Sequence, residues 1–113
     1  MSIKLYFPLK PLVIPDVWKV YKNDFTVLEP DNNYPIDDVF YYFIDDLLQA
    51  TYNGYCIDLG FNGEYLDNRD GNFKLVVLKG DFLDGEVLET FTSRKTEEIK
   101  KKLDYYFEMI PHL

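Results

Sequence analysis

The sequence has few of the side chains that enzymes most often use for catalysis. Its 113 residues include one histidine, His112, one cysteine, Cys56, and two serines, Ser2 and Ser93. His112 follows Pro111 next to the C-terminus, which is a poor position for a preorganised base. Cys56 lies in an apolar run with no other histidine in the chain to activate it. No Ser-His-Asp or Cys-His arrangement can be assembled, so we expect a protein that is not an enzyme.

Metal and cofactor sites are also missing. The sequence has no cluster of cysteine and histidine that could hold zinc and no glycine-rich phosphate loop. The stretch LDNRDGNF is similar to a calcium loop through Asp70-Gly71, but the first ligand position would fall on Leu66, which has no side-chain oxygen. A glycosidase-like carboxylate pair needs a deep sugar cleft, and 113 residues leave little material for one. We therefore predict no metal and no cofactor, and a small acidic hydrolase is the weakest alternative.

Paired cysteines and long apolar runs are absent as well. Lys4, Lys10 and three prolines interrupt the apolar N-terminal stretch, and no run reaches the roughly 18 residues of a membrane-spanning helix. A single cysteine gives no disulfide framework and suits a reducing compartment. With 47% hydrophobic residues, the chain is too apolar to be disordered. The sequence predicts a cytoplasmic protein with a single domain over residues 1–113.

Basic residues are missing from the whole stretch between Lys22 and Arg69. The carboxylates of that stretch are Asp24, Glu29, Asp31, Asp37, Asp38, Asp45, Asp46, Asp58, Glu64 and Asp67. The net charge of −8 disfavours nucleic acid and anionic membranes as partners. Such charge can serve solubility alone, or it can form a surface for a cationic partner. The length of the stretch without basic residues favours the cationic partner.

Four dipeptides predict turns, because Asn and Asp before Gly tolerate a positive φ. They are Asn53-Gly54, Asn62-Gly63, Asp70-Gly71 and Asp84-Gly85. The runs YCIDLGF, FKLVVLK and EVLETFT between them have the composition of strands and predict an antiparallel meander. Upstream, WKVYK and FTVL flank Asn23-Asp24 and predict a further hairpin.

Two segments have apolar residues at helical spacing. In the first, Asp37 can cap the first turn. Its apolar side carries Val39, Phe40, Phe43, Ile44 and Leu47. Ser93 caps the second and Pro111 ends it. Its apolar side carries Ile99, Leu103, Tyr106, Phe107 and Ile110. The predicted fold class is α+β, an antiparallel sheet of about four to six strands with two helices packed on it.

The far side of the first predicted helix is the first candidate for partner binding. Helical spacing places Asp38, Tyr41, Tyr42, Asp45, Asp46 and Gln49 on or beside that side. Tyrosines interleaved with carboxylates suit recognition of basic side chains. The alternative is that another layer of the fold covers Tyr41 or Tyr42. The second candidate is the neighbouring turn region with Glu64, Asp67 and Asp70.

The segment from Tyr55 to Ile110 resembles a known family. The IDLGF strand, the DG turn, the FKLVVLKG and LETFTSR strands and the closing amphipathic helix are similar to small bacterial immunity proteins of contact-dependent growth inhibition and polymorphic toxin systems. These families have no catalytic motif to transfer. Their toxin-binding residues vary between members, so no binding residue is carried over.

The resemblance implies an antitoxin that binds and blocks the C-terminal domain of one cognate toxin in a one-to-one complex. The acidic composition points to a basic, nuclease-type toxin domain, because an inhibitor can place carboxylates where phosphates would lie. We expect the free protein to be a monomer that binds neither nucleic acid nor membranes. The main alternative is a non-catalytic acidic interaction module or a regulatory subunit unrelated to toxins.

Overall fold

A computed structural model of the protein describes residues 5–64 and 67–113. It contains a five-stranded antiparallel sheet and two helices. The strands are β1 (Lys19–Asn23), β2 (Leu48–Tyr52), β3 (Tyr55–Glu64), β4 (Asp67–Lys79) and β5 (Glu86–Ser93). They are neighbours in chain order, so the sheet is a meander with β1 and β5 at its edges. The helices are α1 (Ile36–Val39) and α2 (Thr96–Met109), each followed by a 3₁₀ turn, at Phe40–Tyr42 and Ile110–His112. The predicted α+β class is confirmed.

The core lies between one face of the sheet and α2. Alternate residues of β3 and β4 are buried on this face, including Ile57, Leu59 and Leu75. The predicted stripe of α2 covers them with its buried residues, Ile99, Leu103, Phe107 and Ile110 of the 3₁₀ turn. The Trp18 indole packs edge-on against the Phe107 ring and donates to the Phe107 carbonyl at 2.9 Å. No helix in the described ranges is long and apolar enough to cross a membrane.

Two of the four predicted turns are confirmed. Asn53 and Gly54 join β2 to β3 with φ angles of 44° and 83°, the pair of positive values that a tight hairpin requires. Asp84 and Gly85 lie in the connection from β4 to β5, where the Gly85 amide donates to the Asp81 carbonyl at 3.0 Å. Such two-residue signals work because the required backbone angles are local.

The other two turn predictions are wrong. Asn62-Gly63 lies inside β3 and Asp70-Gly71 inside β4, and the pairing of these strands continues to Glu64 and Asp67. A Cβ on Gly71 would lie 1.3 Å from the Asn62 carbonyl oxygen, so the glycine serves close strand approach beside a bulge. The hairpin predicted at Asn23-Asp24 is also wrong, because β1 pairs with β2 instead. The segment after Asp24 pairs with the N-terminal segment through a β-bridge between Leu9 and Thr26.

The first helix is far shorter than predicted. It ends at Val39, and after the 3₁₀ turn at Phe40–Tyr42 the chain is irregular until β2 begins at Leu48. A longer helix would place Asp45 and Asp46 near its C-terminal end, where the helix dipole disfavours carboxylates. Extended pairing with β3 buries Leu48 and Ala50 instead. The side chains from Asp38 to Gln49 therefore do not form one helix face.

The N-terminus of α2 is not capped as predicted. The N-cap position is Lys95, and the Ser93 hydroxyl instead accepts from the Lys95 amide and donates to the Glu98 carboxylate. The Glu29 carboxylate accepts from the Thr96 amide at 3.2 Å and from the Thr96 hydroxyl at 2.5 Å. A residue distant in sequence thus satisfies the first turn of this helix.

Candidate partner-binding site

The sheet face opposite α2 carries polar side chains. Gln49 of β2 faces Asp58 of β3, and Lys74 of β4 faces the neighbouring Gly60. Gln49, Asp58 and Lys74 are half-buried, while Asn62 farther along β3 is exposed. Strand alternation makes this arrangement: residues next to the buried Ile57, Leu59 and Phe61 point to the other face.

Asp45 and Asp46 cross over β3 at Gly60. The Phe61 amide donates to the Ile44 carbonyl, and the Leu47 amide donates to the Leu59 carbonyl, both at 2.8 Å. The two aspartates between these contacts are exposed. A Cβ on Gly60 would lie 1.8 Å from the Asp45 carbonyl oxygen, so only glycine permits this crossing. The crossing brings two carboxylates over the polar face.

Asp58 is a half-buried carboxylate of this face whose pKa is raised. Burial raises the pKa of Asp58, a hydrogen bond from Gln49 lowers it, and the negative charge of Asp46 raises it. Its Oδ1 atom is buried and has no hydrogen-bond partner among the described residues. Lys74 lines the same cleft as Asp58, but the two form no ion pair in the described chain. A half-buried carboxylate beside a second negative charge would be stabilised by a cation in this cleft.

Three clefts lie along this region. The aromatic cleft, of about 380 Å³, is lined by Tyr6, Phe7, Leu9, Asp24, Thr26, Tyr41, Tyr42 and Ile44. The middle cleft, of about 240 Å³, is lined by Phe43, Ile44, Asp45, Phe61 and Gly63. The acidic cleft, of about 200 Å³, is lined by Asp45, Asp58, Gly60, Asn62, Lys74 and Val76. Neighbouring clefts share Ile44 and Asp45, and we call the three together the acidic-aromatic groove.

The structure brings together only part of the predicted site. Tyr41, Tyr42 and Asp45 line the groove. Asp46 and Gln49 influence the pKa of Asp58, which the charge of Asp46 raises and a hydrogen bond from Gln49 lowers. Tyr42 also has a structural role, because its hydroxyl donates to the Leu5 carbonyl at 2.6 Å and its ring packs on Phe7. The alternative of a covering layer thus holds in part for Tyr42.

Four other predicted residues lie elsewhere or cannot be described. Asp38 belongs to α1 and lines none of the three clefts. Asp70 is an exposed residue of β4 outside the groove. The side chains of Glu64 and Asp67 lie outside the described residues.

Sequence reasoning missed Asp58 as a site residue. The signal was present, because Asp58 is the only charged residue in the run YCIDLGF. A charge inside a largely buried strand is uncommon without a partner. The neighbouring Gly60 was equally visible, but its role depends on a carbonyl 15 positions earlier, which no local pattern shows.

Both arginines of the sequence, Arg69 and Arg94, make hydrogen bonds within the fold. Arg94 bonds the Asp31 carboxylate at 2.7 Å and the Arg69 carbonyl at 2.8 Å. Arg69 in turn donates to the Asn32 carbonyl at 3.2 Å. These hydrogen bonds connect the loop before α1 to β4 and to the residue after β5. Asp31, Asn32 and the Arg69 carbonyl, which these bonds engage, do not line the groove.

The chemically reactive side chains do not line the groove. Cys56 is buried, its thiol donates to the Gly80 carbonyl at 3.0 Å, and burial raises its pKa. His112 lies 3.5 Å from Glu108 at the end of the chain. Among the described residues no group of three or more His, Cys, Asp and Glu side chains is placed to hold a metal ion. Besides one lysine, Lys74, the groove offers carboxylates, an amide and aromatic rings, which are groups for binding a cation.

Comparison with known proteins gives no relative: no protein-family model, no curated protein and no solved structure matches this chain.

Proposed function

We propose that this protein is an immunity protein that binds and neutralises a cognate toxin domain in a one-to-one complex. The observation that carries the proposal is the Asp58 carboxylate, which is partly buried beside Asp46 and has an oxygen without a donor. An arginine or lysine of a partner in the cleft beside Asp58 would relieve the repulsion between the two carboxylates. The resemblance of Tyr55–Ile110 to immunity proteins supports a toxin as that partner.

The two ends of the groove suit different parts of a basic partner. Carboxylates at Asp45, Asp46 and Asp58 would attract cationic side chains and speed association. Tyr41 and Tyr42 would supply ring contact and cation–π attraction, which slow dissociation. A nuclease is the favoured toxin because its substrate groove must be basic to bind a polyanion. The inhibitor would then offer carboxylates where the phosphates of the nucleic acid bind.

The chain contributes binding without catalysis in this proposal, and we expect neither a metal nor a cofactor. We infer a monomer in the free state and a cytoplasmic location, where a toxin that enters the cell would be intercepted. The single Cys56 is compatible with a reducing compartment.

The test is binding to the C-terminal domain of the toxin encoded next to the gene for this chain. Isothermal titration calorimetry should give one-to-one binding, and co-expression should restore growth to cells that produce the toxin domain. Absence of binding would overturn the proposal. Binding to a basic protein without toxic activity would instead assign the chain to the acidic interaction modules.

A further inference from the structure

Along residues 5–13 the chain has one packed side and one exposed side. Leu5, Phe7 and Leu12 pack against the core cluster. The exposed side chains of the same stretch carry no charge, and Tyr6 is 84% exposed. These exposed residues are Tyr6, Pro8, Leu9, Pro11 and Val13. A row of exposed apolar residues is typical of an interaction site, and we call this stretch the apolar arm.

The apolar arm forms one wall of the aromatic cleft. Tyr6, Phe7 and Leu9 line this cleft together with Tyr42. The Phe7 ring meets the Tyr42 ring edge-on at 5.5 Å, and the Leu5 carbonyl accepts from the Tyr42 hydroxyl at 2.6 Å. The exposed row of the arm is therefore continuous with the surface that binds the toxin domain in the proposed function.

Lys10 holds the apolar arm against the start of α2. Its ammonium group donates to the Thr96 hydroxyl at 3.1 Å and forms an ion pair with Glu97 at 3.0 Å. The Lys10 side chain is only 13% exposed, and its backbone amide donates to the Phe25 carbonyl at 2.8 Å. A partner therefore meets side chains that the fold has already placed, which lowers the entropy cost of binding.

We propose that the apolar arm contacts an apolar patch beside the basic groove of the toxin domain, and that Lys10 positions the arm for this contact. The arm offers apolar contact beside the carboxylates of the acidic-aromatic groove. A second copy of this chain is a poor occupant, because two chains of net charge −8 repel each other. The inference rests on the proposed function and adds a second part to its interface.

The contact is tested by the affinity of the toxin domain for a variant of the arm. Tyr6→Ala removes an exposed ring, so the unfolding free energy should stay unchanged while Kd rises on the order of tenfold. Tyr105→Ala is the matched control, because Tyr105 is 57% exposed on α2 and lines none of the three clefts. This control should bind like the unmodified protein. Titration calorimetry and urea unfolding measure the two quantities.

The positioning role of Lys10 is tested by the dissociation rate of the complex. Lys10→Met should raise this rate on the order of tenfold, and Lys10→Arg, which retains the charge, should bind closer to the unmodified protein. Amide exchange at residue 10 should become faster in Lys10→Met, while exchange in β3 and β4 should not change. Lys102→Met is the matched control, because it also removes a lysine of an ion pair, with Glu89 at 2.8 Å.

The outcomes separate this inference from the proposed function. If the unmodified protein binds the toxin domain and Tyr6→Ala binds it equally well, the contact is refuted. A dissociation rate of Lys10→Met equal to that of Lys102→Met refutes the positioning role. Failure of the unmodified protein to bind overturns the proposed function, and this inference with it. A dimer in sedimentation equilibrium that Tyr6→Ala dissociates would assign the arm to a second copy and overturn the inference alone.

Discussion

Gln49 and Asp58 face each other across β2 and β3, and the Gln49 side chain hydrogen-bonds a carboxylate that the fold has partly removed from water. This bond offsets only part of the desolvation, because the pKa of Asp58 is raised overall. A protein maximised for stability alone would place a neutral side chain here. A carboxyl group kept at such a position is typical of a binding site.

Replacement of Asp58 should therefore separate stability from binding. The pKa of Asp58 is raised above its ordinary 3.8, so the folded protein holds this proton more tightly than the unfolded chain does. The resulting penalty is fully present above the folded-state pKa and disappears as the pH falls below 3.8. Asp58→Asn should raise the free energy of unfolding at pH 7, and its advantage should shrink on acidification.

Urea unfolding at a series of pH values measures this difference. The same variant should bind the toxin domain more weakly, because an amide cannot pair with a cation as a carboxylate does. Asp37→Asn, an exposed aspartate of α1, provides the matched control and should leave both quantities unchanged. An Asp58→Asn protein that is less stable than the unmodified protein at pH 7 contradicts the electrostatic account.

The exposed aspartates at the crossing should control the rate of association. The double variant Asp45→Asn, Asp46→Asn removes two charges from the groove without removing buried contacts. Association with a basic toxin domain should slow on the order of tenfold at low ionic strength and become less sensitive to salt. Stopped-flow fluorescence at several salt concentrations measures both effects.

A matched double variant is available for this measurement. Asp16 and Asp84 are exposed, one before β1 and the other in the turn after β4, at the end of the sheet away from Gly60. Asp16→Asn, Asp84→Asn changes the net charge by the same amount. If both double variants slow association equally, total charge attracts the partner and the groove has no special part.

Gly60, which lies against the Asp45 carbonyl, should not tolerate substitution by alanine. Gly60→Ala would place a carbon 1.8 Å from the Asp45 carbonyl oxygen, so the chain from Ile44 to Leu47 must move. Overpacking of this kind costs about 1–3 kcal/mol, and the displaced carboxylates should weaken toxin binding as well. Chemical denaturation and titration calorimetry measure the two losses. Gly54→Asn at the β2–β3 turn is the comparison, since asparagine tolerates positive φ, and a Gly60→Ala protein with unchanged stability would refute the close approach.

The sequence predicts the local parts of this fold well. The Asn53-Gly54 turn, the strands β3 to β5 and the apolar stripe of α2 depend on neighbouring residues, and all are confirmed. The end of the first helix could not be predicted, because Leu47, Leu48 and Ala50 fit a helix stripe or a strand face equally well. Pairing with β3 decides between the two, and that contact is distant in sequence.

The candidate site was predictable only in part for the same reason. Tyr41, Tyr42 and Asp45 stand in the segment that sequence reasoning selected, and they do line one groove. Their placement does not follow from a helix face but from the crossing of Asp45 over Gly60. The acidic end of the groove depends on Asp58, which the strand register brings opposite Gln49.

Removal of the Glu29 carboxylate tests whether a distant residue caps α2. This carboxylate accepts from both the amide and the hydroxyl of Thr96, whereas Ser93 reaches the Lys95 amide. Glu29→Ala should cost about 1–2 kcal/mol of unfolding free energy, because it leaves the first amide of the helix without an acceptor. Thr96 also accepts from Lys10 at 3.1 Å. The double variant Glu29→Ala, Lys10→Met should therefore lose less unfolding free energy than the sum of the losses in the two single variants. Urea unfolding of the two single variants and the double variant gives this coupling, and Glu86→Ala on the exposed start of β5 serves as the control. If Glu29→Ala is as stable as the control and Ser93→Ala is destabilised, then Ser93 and not Glu29 caps the helix.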